Sequence, residues 1–220
     1  MATFLLVPGA CHGGWWYDPV VAALRARGHV AVAVTLGGLG EEPLAALPPV
    51  TLASHLDEAL AAVPAGDDLI LVGHSYGGCV ITGVADRIAD RVRALVYLDA
   101  FVPGDGDSCF ALTNDEQRRW YIEGAGRTGI TVDPLPFFDP RARPHPLATF
   151  VQQIRLTGAW RTVPVKHYVE ALDWAGGSPF AATAARVRAE PGWTVHAWQT
   201  RHNVLRECAD EVVELLHAAG

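Results

Sequence analysis

The stretch Ile70–Gly78 reads I-L-V-G-H-S-Y-G-G, and no other part of the chain restricts the fold as much. A short apolar run enters a turn in which Gly73, Gly77 and Gly78 surround one serine. Val80, Ile81, Val84 and Ile88 then follow at helical spacing. An ordinary strand-to-helix turn needs one glycine at most, so this one must bring backbone against backbone on both sides of Ser75. Gly73-His74-Ser75-Tyr76-Gly77 fits G-x-S-x-G in its strand–turn–helix setting, where a serine hydroxyl is lifted above the sheet edge at a helix N-terminus. The competing reading is a glycine-rich turn without chemistry, and the rest of the chain decides between them.

The remaining pattern is alternating. Thr3–Val7 reads as a buried first strand ended by Pro8-Gly9. Asp18–Arg27 reads as a helix with Asp18 as N-cap, Pro19 at its first position and Gly28 closing it. His29–Leu36 is a strand, Gly37–Pro49 a loop and Thr51–Val63 a helix. Leu69–Val72 is a strand, Tyr76–Arg91 a helix, Ala94–Leu98 a strand, Trp193–Trp198 a last strand and Glu207–Ala218 a closing helix. Strands that alternate with helices make a mostly parallel sheet covered on both faces, an α/β fold. Pro103–Val163 interrupts the alternation. It is rich in proline and aromatic residues and is too long for a loop, so it reads as a cap inserted after the strand that ends at Asp99. The expected organisation is a core of residues 1–102 and 164–220 with a cap of residues 103–163, in one folding unit.

Composition narrows the function classes. A net charge of −7 argues against nucleic acid as a partner. No apolar run approaches the roughly 18 residues of a membrane span, and the N-terminus lacks a basic signal-peptide segment. Cys11, Cys79, Cys109 and Cys208 are widely spaced with no C-x-x-C, as expected of a cytoplasmic protein without a metal site. The partner expected is a small-molecule substrate. The oligomeric state is open, a homodimer included.

Three segments carry a family resemblance: F-L-L-V-P-G-A-C-H-G-G-W-W from Phe4, L-V-G-H-S-Y-G-G-C-V-I from Leu71 and Y-L-D-A-F-V-P-G-D-G from Tyr97, with a weaker match at R-H-N-V-L from Arg201. Through them the chain resembles the α/β-hydrolase superfamily, in the branch of plant methylesterases, hydroxynitrile lyases and related bacterial esterases. Pro8-Gly9 stands where most of these relatives have His-Gly. The resemblance implies an α/β-hydrolase fold and a serine esterase that needs no cofactor and acts on a small apolar or aromatic carboxylic ester. Ser75 would be the nucleophile and His202, in the loop after the last strand, its base. His196 lies within that strand and reads as a packing residue. The amides of Ala10 and Tyr76 would form the oxyanion hole. His12 would tie the first loop together and border the substrate pocket, with Trp120 and Trp160 from the cap.

The acid departs from the family pattern. Relatives place it just past the next-to-last strand, where this chain has Tyr168-Val169-Glu170-Ala171-Leu172-Asp173-Trp174, with Trp174 at the expected aspartate position. Asp173 is one residue early, and Asp99 ends the strand after the nucleophile strand. Both stay open, with Asp99 ahead. Hydroxynitrile lyases carry a lysine after the histidine and a threonine in the first loop, where Asn203 and Gly9 stand here. Two other activities are compatible with the pattern: a cyclase or lyase of secondary metabolism, and a ligand-binding relative with a degraded triad.

Overall fold

The apolar runs fold as parallel strands of one sheet in the computed structural model, which covers residues 1–220. β1 (Thr3–Val7) leads through α1 (Asp18–Ala26) to β2 (Val30–Ala33), and α2 (Leu52–Ala61) leads to β3 (Leu69–His74). α3 (Gly77–Arg87) connects β3 to β4 (Val92–Leu98). After β4 come α4 (Cys109–Leu112), α5 (Asp115–Ala125), a small antiparallel ribbon of β5 (Thr131–Val132) and β6 (His145–Pro146), and α6 (Leu147–Val151). β7 (Val165–Ala171), α7 (Ala181–Ala189), β8 (Trp193–Trp198), α8 (Val204–Glu207) and α9 (Ala209–Ala219) complete the chain.

The six-stranded sheet has the order β2-β1-β3-β4-β7-β8, with every neighbouring pair parallel. The order reverses between β1 and β3. Ligands of open parallel sheets bind at such a switch point, outside the carboxyl ends of the strands. Strands buried on both faces read as continuous apolar runs, and the two-residue period assigns their side chains to two separate cores. Phe4, Leu6, Ile70, Val72, Val96 and Leu98 pack against α1 and α9. Leu5, Leu71, Leu95 and Tyr97 pack against α2, α3 and residues from the segment between β4 and β7. Each fully buried large aliphatic side chain contributes roughly 1.5–3 kcal/mol.

Several expected boundaries move. Tyr17 rather than Asp18 is the N-cap of α1, and Asp18 sits in its first turn, where a carboxylate favours the helix dipole. α3 stops at Arg87, because a separate 3-10 turn at Ala89–Arg91 intervenes before β4. The helix expected from Thr51 is capped by Thr51, whose side chain accepts the Ser54 amide while Ser54 returns a bond to the Thr51 amide. Within the cap segment α5 is capped by Asn114. The return stretch instead packs on the core: the Asp86 carboxylate at the end of α3 accepts from the Thr157, Gly158 and Trp160 amides.

The elbow glycines are explained by backbone proximity. A Cβ on Gly77 would overlap the Val7 carbonyl, one on Gly78 the Phe101 carbonyl, and one on Gly73 would lie 2.7 Å from the Gly77 carbonyl. α3 therefore starts closer to β1 and to the chain beyond β4 than any side chain permits. We expect Gly78→Ala to destabilise the fold by about 2–3 kcal/mol in a urea melt. Gly40→Ala, whose Cβ would meet only Thr35 Cγ2 at 3.6 Å, should stay within about 0.5 kcal/mol. Equal stability of the two variants would show that the close approach is not a constraint.

Candidate active site

The crevice at the carboxyl edge of the sheet is built from residues in uncommon backbone conformations. Ser75 has φ 54° and Asp99 has φ 44°, both left-handed, which costs a non-glycine residue on the order of 1–3 kcal/mol. The Ser75 conformation is held by its amide on the Leu98 carbonyl (3.3 Å) and by its own carbonyl accepting from Gly78 (3.1 Å) and Phe101 (3.2 Å). The left-handed turn at Asp99, whose amide donates to Val169 at 2.7 Å, sends the carboxylate across the end of β7 instead of along the strand.

Asp99 is fully buried, and its carboxylate accepts three hydrogen bonds. His202 Nδ1–H donates to Oδ2 at 2.7 Å, the Trp174 indole Nε1–H donates to the same oxygen at 3.0 Å, and the Ala171 amide donates to Oδ1 at 3.3 Å. With its Nδ1 proton so held, neutral His202 carries its free lone pair on Nε2. Asp173 is exposed and contributes only its backbone amide, to the Thr200 carbonyl at 3.0 Å. The two aspartates are thus separated: one touches the histidine and the other faces solvent.

The His202 loop is fixed from several sides. Glu207 Oε2 accepts from the Thr200 hydroxyl and the Arg201 amide, both at 3.1 Å. His74 Nε2–H donates to the His202 carbonyl at 3.0 Å. The His202 ring lies against Phe180 (5.3 Å between ring centres), Trp174 (4.8 Å) and His74 (4.6 Å). Ser75 is 9% exposed, and its hydroxyl makes no hydrogen bond within the protein. Catalytic contacts are commonly loose before substrate binds.

The first loop approaches from β1. His12 Nδ1–H donates to the Ala10 carbonyl at 2.6 Å, and its ring packs against Trp15, Trp16 and Phe138. Burial lowers the His12 pKa to about 4, so it is neutral at ordinary pH. The Ala10 and Tyr76 amides donate to no acceptor of the protein. Trp120 joins this group through Phe138 (5.9 Å between ring centres), with its indole N–H on the Asp133 carbonyl at 3.0 Å.

Trp160 is elsewhere. It is buried against Trp193, the first residue of β8, at the amino edge of the sheet and opposite Ser75. Aromatic composition alone could not separate it from Trp120, because the residues after Ile154 turn back onto the core. His196 lies mid-strand in β8, paired with His167 at 3.1 Å. Trp174, His74 and Phe180 also belong to the site, and no sequence pattern marks them as catalytic or binding residues. The one signal for Trp174 was that it stands where an acid was expected.

A sequence profile of the Alpha/beta hydrolase family matches residues 4–215. A carbendazim hydrolyzing esterase of Nocardioides sp. is 39% identical, with all of both chains covered. Salicylic acid-binding protein 2 of Nicotiana tabacum is 33% identical over 66% of this chain and 59% of its own. Among solved structures, an extracellular alpha/beta-hydrolase from a Paenibacillus species superposes with a TM-score of 0.82 at 22% identity, covering 100% of this chain and 99% of that one. At that identity the superposition speaks for the fold alone.

Replacing each aspartate tests which one orients the histidine. Asp99→Asn should lower kcat on an activated ester by about 10²- to 10⁴-fold, while Asp173→Asn stays within about threefold of the parent. The reverse ranking would transfer the role to Asp173.

Proposed function

The chain belongs to the alpha/beta hydrolase family, and from that footing we propose that it is a serine hydrolase of carboxylic esters working through an acyl-enzyme on Ser75. The observation that carries this reading is the contact of His202 with the fully buried Asp99 carboxylate at 2.7 Å, together with a serine held in a left-handed elbow. Ser75 Oγ attacks the ester carbonyl carbon while His202 Nε2 takes its proton. The carbonyl oxygen becomes an oxyanion received by the Ala10 and Tyr76 amides. His202 returns the proton to the departing alcohol, leaving the acyl group on Ser75. Water then gives its proton to His202 and attacks the acyl carbon, and the acid leaves as Ser75 regains its hydrogen. Asp99 keeps the imidazole oriented and offsets the charge it carries at each transfer.

The first test is covalent. A fluorophosphonate should add to Ser75, found by mass spectrometry of the peptide, and Ser75→Ala should lose the adduct along with about 10³-fold or more in kcat. Unchanged turnover by purified Ser75→Ala would end the serine mechanism.

The acyl group we propose is apolar or aromatic. Support comes from the ring cluster of His12, Trp16, Trp120, Phe138 and Phe150 on the cap side of the crevice. Relatives named as a carbendazim hydrolyzing esterase and as methylesterases fit a compact esterase site. Each Å² of apolar acyl surface covered there is worth about 25 cal/mol. We expect kcat/KM to rise from acetate to aromatic or C4–C8 esters, and Trp120→Ala to flatten that slope by about tenfold. Trp160→Ala should leave the slope unchanged while lowering stability. A flat profile in the parent protein would remove the apolar acyl assignment.

A further inference from the structure

The loop that carries the Ala10 amide has a conformation its own sequence does not favour. Gly9–His12 closes as a tight turn, with the His12 amide on the Gly9 carbonyl at 3.3 Å. Cys11, the third residue of that turn, has φ 66°. This is the pattern of a type II turn, which favours glycine at that position. In such a turn the peptide joining the second and third residues is flipped relative to the common type I form. Here that peptide runs from the Ala10 carbonyl to the Cys11 amide, and both of its ends are held by histidines. His12 Nδ1–H donates to the Ala10 carbonyl at 2.6 Å, and the Cys11 N–H donates to His145 Nδ1 at 3.1 Å.

His145 comes from β6, in the cap, 134 residues along the chain from Cys11. The neighbouring Arg143 amide donates to the Cys11 carbonyl at 2.9 Å, so the cap grips both polar groups of Cys11. The same imidazole stacks on Phe150 (4.3 Å between ring centres, 16°) and meets the Tyr76 ring edge-on at 4.7 Å. Tyr76 is fixed on its other side by its hydroxyl, 2.8 Å from His55 Nδ1. One buried side chain of the cap therefore touches both segments, the first loop and the elbow, whose Ala10 and Tyr76 amides donate to no acceptor of the protein.

Packing alone does not explain a histidine there. With Nδ1 accepting, the proton is on Nε2, and Nε2 has no partner in the protein although the residue is fully buried. A buried unsatisfied donor is costly, and a phenylalanine would stack on Phe150 without that cost. Burial also holds the His145 pKa well below its usual value, which keeps the Nδ1 lone pair available.

We propose that His145 is a positioning residue: by accepting the Cys11 amide and bracing Tyr76 it sets the oxyanion hole from the cap, so the cap completes the catalytic centre as well as covering it. This rests on the serine esterase reading given above.

Two substitutions separate the hydrogen bond from the packing. His145→Phe keeps the ring against Phe150 and Tyr76 and removes the acceptor. His145→Asn keeps a carbonyl oxygen close to where Nδ1 stood and loses the ring. On a p-nitrophenyl ester, His145→Phe should lower kcat about 10²-fold with KM changed less than about threefold, as when an oxyanion donor is misplaced. His145→Asn should retain kcat within about tenfold of the parent, even where its melting temperature is the lower of the two. Faster turnover by His145→Phe than by His145→Asn would make the residue a packing group and overturn the proposal. Should His145→Phe not fold, a folded His145→Asn that loses about 10²-fold in kcat overturns it equally, and one that keeps its rate supports it. A parent protein that neither hydrolyses the ester nor takes up fluorophosphonate would instead remove the esterase reading. An active parent matched by His145→Phe removes only the role of His145.

Discussion

Everything at the carboxyl edge of the sheet depends on how closely the first turn of α3 approaches the backbone around it. Gly77 lies against the Val7 carbonyl and Gly78 against the Phe101 carbonyl, with no room for a Cβ at either. That approach brings three chain segments together: the exit of β1, the elbow after β3 and the exit of β4. Their side chains are Ala10, Ser75 and Asp99 or immediate neighbours. A single added methyl group would push α3 outward and separate the serine from both the first loop and the acid. The core beneath resists such adjustment, because close-packed interiors respond to extra volume with strain.

A second consequence is that the site is built from strained backbone. Of the four non-glycine residues with positive φ, Cys11, Ser75 and Asp99 are all in this crevice, and only Asp68 is outside it. Each conformation is held by hydrogen bonds from elsewhere in the chain. Ser75 is held from β4 and the residues after it, Asp99 from β7, and Cys11 from the cap. Strain that is determined from outside in this way marks a place where geometry takes precedence over local preference. The histidines follow the same logic. His12, His55, His74 and His145 are buried with lowered pKa values, so each is a neutral ring with one donor and one acceptor nitrogen. Each braces a neighbouring segment through at least one ring nitrogen, His55 through both, and His202 alone among the crevice histidines is partly open to solvent.

Much of this was legible in the sequence because the strongest signals are local. Thr3–Val7 and Trp193–Trp198 are strands at the residues where their apolar patterns begin and end. Gly73-His74-Ser75-Tyr76-Gly77 carries its turn wherever it occurs between a strand and a helix. What escaped was non-local or weakly patterned. α7 is alanine- and arginine-rich without a clear apolar stripe, and β7, located only through the family resemblance, carries Lys166, His167 and Glu170 among its apolar residues. The destination of each cap aromatic could not be read either. Trp120 and Trp160 have the same chemistry, and only the return of the chain onto Asp86 sends one to the crevice side and the other to the far edge of the sheet. His145 is silent in sequence for a related reason: its partner is 134 residues away and is a backbone amide.

The acid shows how an irregular motif can still produce a regular arrangement. β4 and β7 are adjacent and in register, with Leu98 opposite Val169, so the end of either strand lies beneath the same loop after β8. A carboxylate at either end can reach an imidazole there, provided the chain turns toward it. The turn at Asp99 is left-handed, and the Trp174 indole stands beside it, donating to the oxygen that also receives His202. Trp174 therefore does more than fill the position where related chains place an aspartate. Its N–H helps to satisfy a fully buried carboxylate, and its ring closes one side of the imidazole. A buried carboxylate left short of donors is costly, and the indole supplies one of the three that Asp99 receives. An acid on β4 and an indole after β7 are thus complementary, and each makes the other's position workable.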